Sequence, residues 1–162
     1  MIAFADAPVA EGRSVDELTQ SVSASRLSCW LQCRLKFCFR YGAGVKKPPT
    51  PALYVGKVIH AVLQQWSLAR WRGAPLDTNT FHAVFEEHWN NSPERQEIAW
   101  EGDEAIEKAG AYSVLQMYCR DTPIPVDEKP EAVEVGAEVD LASHGLPVLV
   151  GVIDLVRAGG RI

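Results

Sequence analysis

The run Val148-Leu149-Val150-Gly151-Val152-Ile153-Asp154-Leu155-Val156 constrains the fold of this chain more than any other stretch. It is short, rich in β-branched residues and followed by the turn-forming Gly159-Gly160, so it reads as a strand and not as part of a core helix. A strand needs a neighbour. Residues 131–142 supply one, alternating in part and carrying Val133, Val135, Val139 and Leu141. Ser143-His144-Gly145 between the two runs is a turn signal, so together they predict an antiparallel hairpin. Residues 157–160 read as another turn, and Arg161 and Ile162 as the first residues of a third strand. One residue breaks the character of the run. Asp154 would lose its hydration there unless a cation or a hydrogen-bond donor compensates it. A metal ion is one such partner, and an acid at a solvated strand end is the plainer alternative. Gly151 leaves an open patch on the strand where a ligand or another backbone can approach.

The rest of the chain reads as helices. Residues 1–20 form a flexible lead-in. Ser23 or Ser25 can cap a helix running to about Tyr41, with Leu27, Trp30, Leu31, Phe37, Cys38 and Tyr41 near helical spacing. A proline-rich loop follows Lys46. A second helix runs from about Leu53 to Trp71, with Val55, Ile59, Val62, Leu63 and Trp66 as its apolar face. A third follows a Thr78 or Thr80 cap to about Asn90, and a fourth runs from about Asp103 to Arg120. His60 lies one turn after Gly56, whose missing side chain leaves room above the imidazole. It flanks the apolar stripe and reads as a ligand or as an ordinary packed or surface histidine. His82, His88 and His144 have no carboxylate or cysteine at convincing metal spacing and read as structural or exposed. Cys29 and Cys33, one turn apart, can share a ligand or simply be buried. They do not form a CxxC pair, so they give little support to zinc. No phosphate-cradling glycine loop, nucleophile elbow or catalytic triad is present.

Charge divides the chain. Residues 18–76, a stretch of 59, contain no acid and nine basic residues, whereas residues 77–162 carry 17 acids and six basic residues. The formal net charge of −5 conceals this opposition. The basic segment is interleaved with Trp30, Phe37, Phe39, Tyr41, Tyr54, Trp66 and Trp71, so it can neutralise phosphates and offer stacking faces. It can equally pair with the acidic half inside the fold. A length of 162 residues with 47% hydrophobic and 23% charged residues suits one globular domain. There is no apolar run long enough to span a membrane and no secretory leader pattern. Four cysteines are too few for a disulfide scaffold, so a reduced, cytoplasmic protein is expected.

Four segments, in order, resemble one family. Ser23-Ala-Ser-Arg-Leu27-Ser-Cys-Trp30-Leu-Gln-Cys33-Arg-Leu-Lys36-Phe37 resembles the opening helix of RecB-type nucleases of the PD-(D/E)xK superfamily, S-x-S-x-L-x-x-Y-x-x-C-P-x-K-[FY]. Trp30 takes the aromatic place, and Arg34 stands where proline is usual. Gly56-Lys-Val-Ile-His60 resembles the G-x-x-x-H helix motif. Glu134-Val-Gly-Ala-Glu138-Val resembles the E-x-x-F/V-x-V strand, and Gly151-Val-Ile-Asp154-Leu-Val the G-x-[IV]-D-x-[IV] strand.

The resemblance implies an α+β, restriction-endonuclease-like (α/β) fold. N-terminal helices would pack on a small mixed sheet beginning with the C-terminal hairpin, and the core would be incomplete. Residues 21–162 would be part of a RecB-type nuclease domain. His60 and Asp154 would be catalytic residues binding Mg²⁺ or Mn²⁺, with Glu134 and Glu138 as accessory carboxylates. Arg26, Arg34, Lys36 and Arg40 would meet DNA at the rim of the cleft. Cys33 matches the position that supplies one iron–sulfur ligand in some members. The family's next strand carries a carboxylate-x-Lys, and the 162 residues contain none after Asp154. The chain is therefore expected to be truncated before that motif and inactive as it stands. The expected function is metal-dependent DNA hydrolysis, as an exonuclease on ends or single strands in repair, recombination or phage DNA processing, with a helicase or recombination partner. A non-catalytic nucleic-acid-binding module of the same fold and an unrelated helical interaction protein are the competing readings.

Overall fold

The computed structural model describes residues 14–125 and 127–161. Helix α1 (Val15–Gln20) begins with a reciprocal cap. The Ser14 hydroxyl accepts the Glu17 N–H at 3.2 Å, and the Glu17 carboxylate accepts the Ser14 N–H at 2.8 Å. Residues 1–13 of the expected lead-in lie outside the described residues, and the end of that stretch is this helix. Strand β1 (Ser21–Ser23) leads into α2 (Ala24–Gln32), whose N-cap is Ser23.

The single helix expected as far as Tyr41 is interrupted. Cys33 is extended, with φ −162° and ψ 109°, and separates α2 from α3 (Arg34–Phe37). Its sulfur accepts the Lys36 N–H at 3.4 Å and so caps the new helix. A wider π-turn over Cys38–Gly42 then ends the segment.

The next three helices follow the sequence closely. Thr50 caps α4 (Pro51–Trp71), which has proline in its first turn, and Gly73 leaves it at φ 77° in the left-handed region. Helix α5 (Thr78–Asn91) is capped by Asp77, not by a threonine. The Asp77 carboxylate accepts the Thr80 N–H at 2.7 Å, and that bond holds its pKa below the ordinary value. Asp103 caps α6 (Glu104–Asp121). Strands β2 (Ala132–Val139) and β3 (Val148–Val156) are joined through a tight turn at Ala142–His144, and Gly145 closes it at φ 68°.

The chain forms two units. One comprises residues up to Lys47 with Gly136–Val152, the other Pro48–Val135 with Ile153–Ile162. In the first, β1 runs parallel to β3 in the register Ser21–Val148, Val22–Leu149, Ser23–Val150. Trp30, Phe37 and Tyr41 form an aromatic row, with Trp30 and Phe37 edge to face at 5.2 Å. Cys29 is buried, while Leu31, Leu35 and Phe39 are exposed.

The second unit holds the core. Tyr54, Val58 and Val62 on α4 meet Phe81, Phe85 and Trp89 on α5 and Ala111 and Leu115 on α6. Each set follows the i, i+4 spacing that places side chains on one helical face. The buried line on α4 is turned from the expected one. Val55, Ile59, Leu63 and Trp66 flank it, half-buried, and Tyr54 joins it because its hydroxyl donates to the Trp89 carbonyl.

The sheet order is β1-β3-β2. The Glu131 N–H donates to the Val156 carbonyl at 2.8 Å, which ties the start of β2 to the end of β3 in the antiparallel sense. Helices and a small mixed sheet with its hairpin at the C-terminal side make the α+β, restriction-endonuclease-like arrangement expected. Arg161 pairs back to Arg157 in a single bridge, and Ile162 lies outside the described residues. Strand β3 is apolar without being buried: Val152 is 62% exposed, and Asp154 is exposed too. The desolvation expected at Asp154 therefore does not arise. Among the described residues no helix is long and apolar enough to cross a membrane.

Candidate metal centre

Three elements of the second unit deliver one side chain each to a common point. Helix α4 is held by its buried line Tyr54-Val58-Val62. His60, two positions from both Val58 and Val62, therefore lies on the far side of the helix, with its side chain 55% exposed. Glu134 comes from β2 and Asp154 from β3, where strand alternation turns it away from its half-buried neighbours Ile153 and Leu155. One ligand atom from each of His60, Glu134 and Asp154 lies within 4.8 Å of the others. The His60 Nε2 is 3.2 Å from a Glu134 carboxylate oxygen.

This spacing suits a single cation. Donors at about 2.0–2.6 Å from one ion lie at most roughly 4–5 Å apart. The chemistry suits a hard or borderline divalent ion, with two carboxylates and one imidazole. The local charge also calls for one. Among the described residues no lysine or arginine lies within salt-bridge distance of Glu134 or Asp154, whereas Glu86, Glu104 and Glu128 each pair with a cationic side chain. Gly56 leaves open space on α4, since a Cβ built there meets nothing within 4 Å. The same holds for Gly151 on β3.

The strand that carries Asp154 is anchored just beyond it, by residues with no motif signal. Arg157 makes two parallel bonds to Glu128, at 2.9 and 2.7 Å, and Glu128 also accepts the Ala158 N–H at 3.3 Å. The Arg157 guanidinium bond pulls the Glu128 carboxyl down to about 2. Glu131 accepts the Gly159 N–H at 2.8 Å. Arg70 lies over the Trp66 ring at 4.6 Å and donates to the carbonyls of Pro125 and Glu128, fixing the segment that carries the acid. Sequence alone gives no signal for this clamp, because its hydrogen-bonded partners are 28 or more positions apart.

The remaining expected site residues fare differently. Glu138 is exposed, lies in the part of β2 assigned to the other unit and is not a member of the three-residue group. Arg26 does not fit a DNA-facing role. It is 9% exposed, donates to the Leu18 carbonyl and lies over Tyr41 at 5.9 Å, so it serves packing. Arg34 and Arg40 are exposed and stack on Trp30 and Tyr41 at 5.3 and 5.4 Å, and Lys36 is exposed as well. None of these three has a carboxylate partner among the described residues, although Lys57 from the same basic segment pairs with Glu94 at 2.6 Å. Cys33 is exposed and free, Cys29 one turn earlier is buried, and no metal-competent group forms around either among the described residues.

Comparison with protein families matches residues 21–162 to the PD-(D/E)XK nuclease superfamily, whose members generally use divalent metals. No curated protein and no solved structure matches the chain significantly. The match opens at the first residue of β1 and takes in the whole of the helical core and the hairpin, and on that ground the chain belongs to the PD-(D/E)XK nuclease superfamily.

Proposed function

We propose that the chain is the metal-binding and DNA-binding part of a RecB-type exonuclease, which hydrolyses phosphodiester bonds at DNA ends or in single strands during repair, recombination or phage DNA processing. The observation that carries this reading is the meeting of His60 and Asp154, the helix and strand residues of two separate motifs, within 4.8 Å in a chain of this superfamily. His60 and Asp154 hold Mg²⁺ or Mn²⁺. A bound cation of this kind neutralises phosphate charge and polarises the attacking water. Arg34, Lys36 and Arg40 bind the DNA backbone, and the exposed ring of Phe39 offers a stacking face. The four free cysteines agree with a reduced, cytoplasmic setting, where a helicase or recombination partner would supply the DNA strand.

On this reading cleavage needs a carboxylate-x-Lys, which residues 155–162 do not contain. A chain extended along its own reading frame through such a motif should release nucleotides from single-stranded DNA with Mg²⁺, and the 162-residue chain should not. Absence of cleavage by the extended chain would overturn the nuclease reading. A second reading is a non-catalytic nucleic-acid-binding module of the same fold, favoured by the exposed cations Arg34, Lys36 and Arg40, which have no carboxylate partner among the described residues. Salt-dependent DNA binding with no Mg²⁺-dependent cleavage in the extended chain would establish it.

A further inference from the structure

Glu134 has a backbone that a strand residue does not normally adopt. Its φ is 55°, and it is the only non-glycine with positive φ among the described residues. The flanking residues of β2 are ordinary strand, so the kink is confined to the one position whose carboxylate faces His60. A left-handed glutamate costs free energy that glycine would not. Such a conformation persists where its surroundings over-determine it, and among the described residues the ionisable side chain paired with Glu134 is His60. That interaction is weak compensation, because the imidazole is 55% exposed. The Asp154 carboxylate beside it adds a like charge, and among the described residues no lysine or arginine pairs with either acid.

We infer that Glu134 is itself a direct ligand of the divalent cation, so that His60, Glu134 and Asp154 form a three-donor site complete within these 162 residues. The inference rests on the proposed function for the presence of a cation and goes beyond it in the ligand set. The family pattern takes its further carboxylate from the strand after Asp154, whereas here β2 supplies one. The left-handed backbone at residue 134 turns that carboxylate toward the other two donors. Three protein donors leave the rest of the ion's shell to water and phosphate oxygens.

The test is titration of the purified 162-residue chain with Mn²⁺, read by electron paramagnetic resonance and calorimetry. The wild-type chain should bind one Mn²⁺, and His60→Gln and Asp154→Asn should abolish binding. Glu134→Gln should weaken binding more than about a hundredfold, beyond the roughly ten- to hundredfold that loss of an outer-shell partner of His60 would cost. Glu138→Gln should leave affinity unchanged. A Glu134→Gln variant that binds within about a hundredfold of wild type, while Asp154→Asn fails to bind, overturns this inference and leaves the His60–Asp154 site standing. Wild-type protein that binds no Mn²⁺ overturns both. Glu134→Gly separates folding from ligation. It should melt higher than Glu134→Ala, because glycine takes φ 55° freely, and yet bind Mn²⁺ as poorly as Glu134→Gln. Equal melting of the glycine and alanine variants contradicts the backbone part of the inference.

Discussion

Glu128 and Arg157 form a two-pronged ion pair with side chains 9% and 20% exposed, and it holds the turn that follows Asp154. The depressed Glu128 pKa, about 2 against an ordinary 4.5, sets the sign of a pH effect. The stabilisation is fully present above the unfolded value and is lost as pH falls through the folded one. Acid unfolding should therefore show a component between about pH 4.5 and 2 that Glu128→Gln removes, measured by circular dichroism against pH. Arg26 and Arg34 show the same contrast between structural and exposed cations. Reversing the charge at Arg26 would leave a buried acid against the Leu18 carbonyl and should lower the melting temperature, whereas Arg34→Glu should leave it nearly unchanged. At this scale His60 and Asp154 are legible in sequence, because a motif names each and a fold with helix and hairpin in this order can join them. The φ of Glu134 is not legible, since a backbone angle set by long-range interactions leaves no mark on residue type. The burial of Arg26 is equally hidden, since a lone arginine in a basic run looks the same whether it packs on Tyr41 or faces solvent.

Helices α4, α5 and α6 are readable from period and caps. Their polar starts at Thr50, Asp77 and Asp103 and their i, i+4 apolar rows agree with one another, so local preference and packing favour the same boundaries. The orientation of α4 is harder to read, because Tyr54 counts as core only once its hydroxyl finds the Trp89 carbonyl. The break at Cys33 and the three-residue strand β1 are illegible, one depending on a sulfur cap and the other on pairing with β3, about 125 positions away. Two substitutions test the helical layer. Leu115→Ala, at a position with no exposure, should cost about 2–5 kcal/mol in urea unfolding. Gly56→Ala, where a new Cβ meets nothing within 4 Å, should stabilise α4 by about 1 kcal/mol. If Gly56→Ala also weakens DNA binding, the open space on α4 is used by the ligand.

Across the chain as a whole, opposed charge and motif order point the same way. The acid-free segment keeps Arg34, Lys36 and Arg40 without acidic partners among the described residues, as a phosphate-binding surface requires. The paired substitution Arg34→Glu with Arg40→Glu should weaken binding to single-stranded DNA and reduce its salt slope by about 0.7 for each phosphate that is no longer neutralised. Unchanged binding would contradict the phosphate role. The order of the four sequence segments anticipates the family match over residues 21–162 because each segment is local, whereas the clamp at Glu128 and the approach of Glu134 to His60 exist only once distant segments meet. The central claim is that His60 and Asp154 together hold a divalent cation. Its most direct test is the melting temperature with and without Mn²⁺, since an ion bound only by the folded chain stabilises it by about 2.7 kcal/mol at roughly 100 times its dissociation constant. Wild-type protein should gain several degrees, and His60→Gln and Asp154→Asn should gain none. A wild-type melting temperature unmoved by millimolar Mn²⁺, or an equal gain in all three proteins, would contradict a metal site at these two residues.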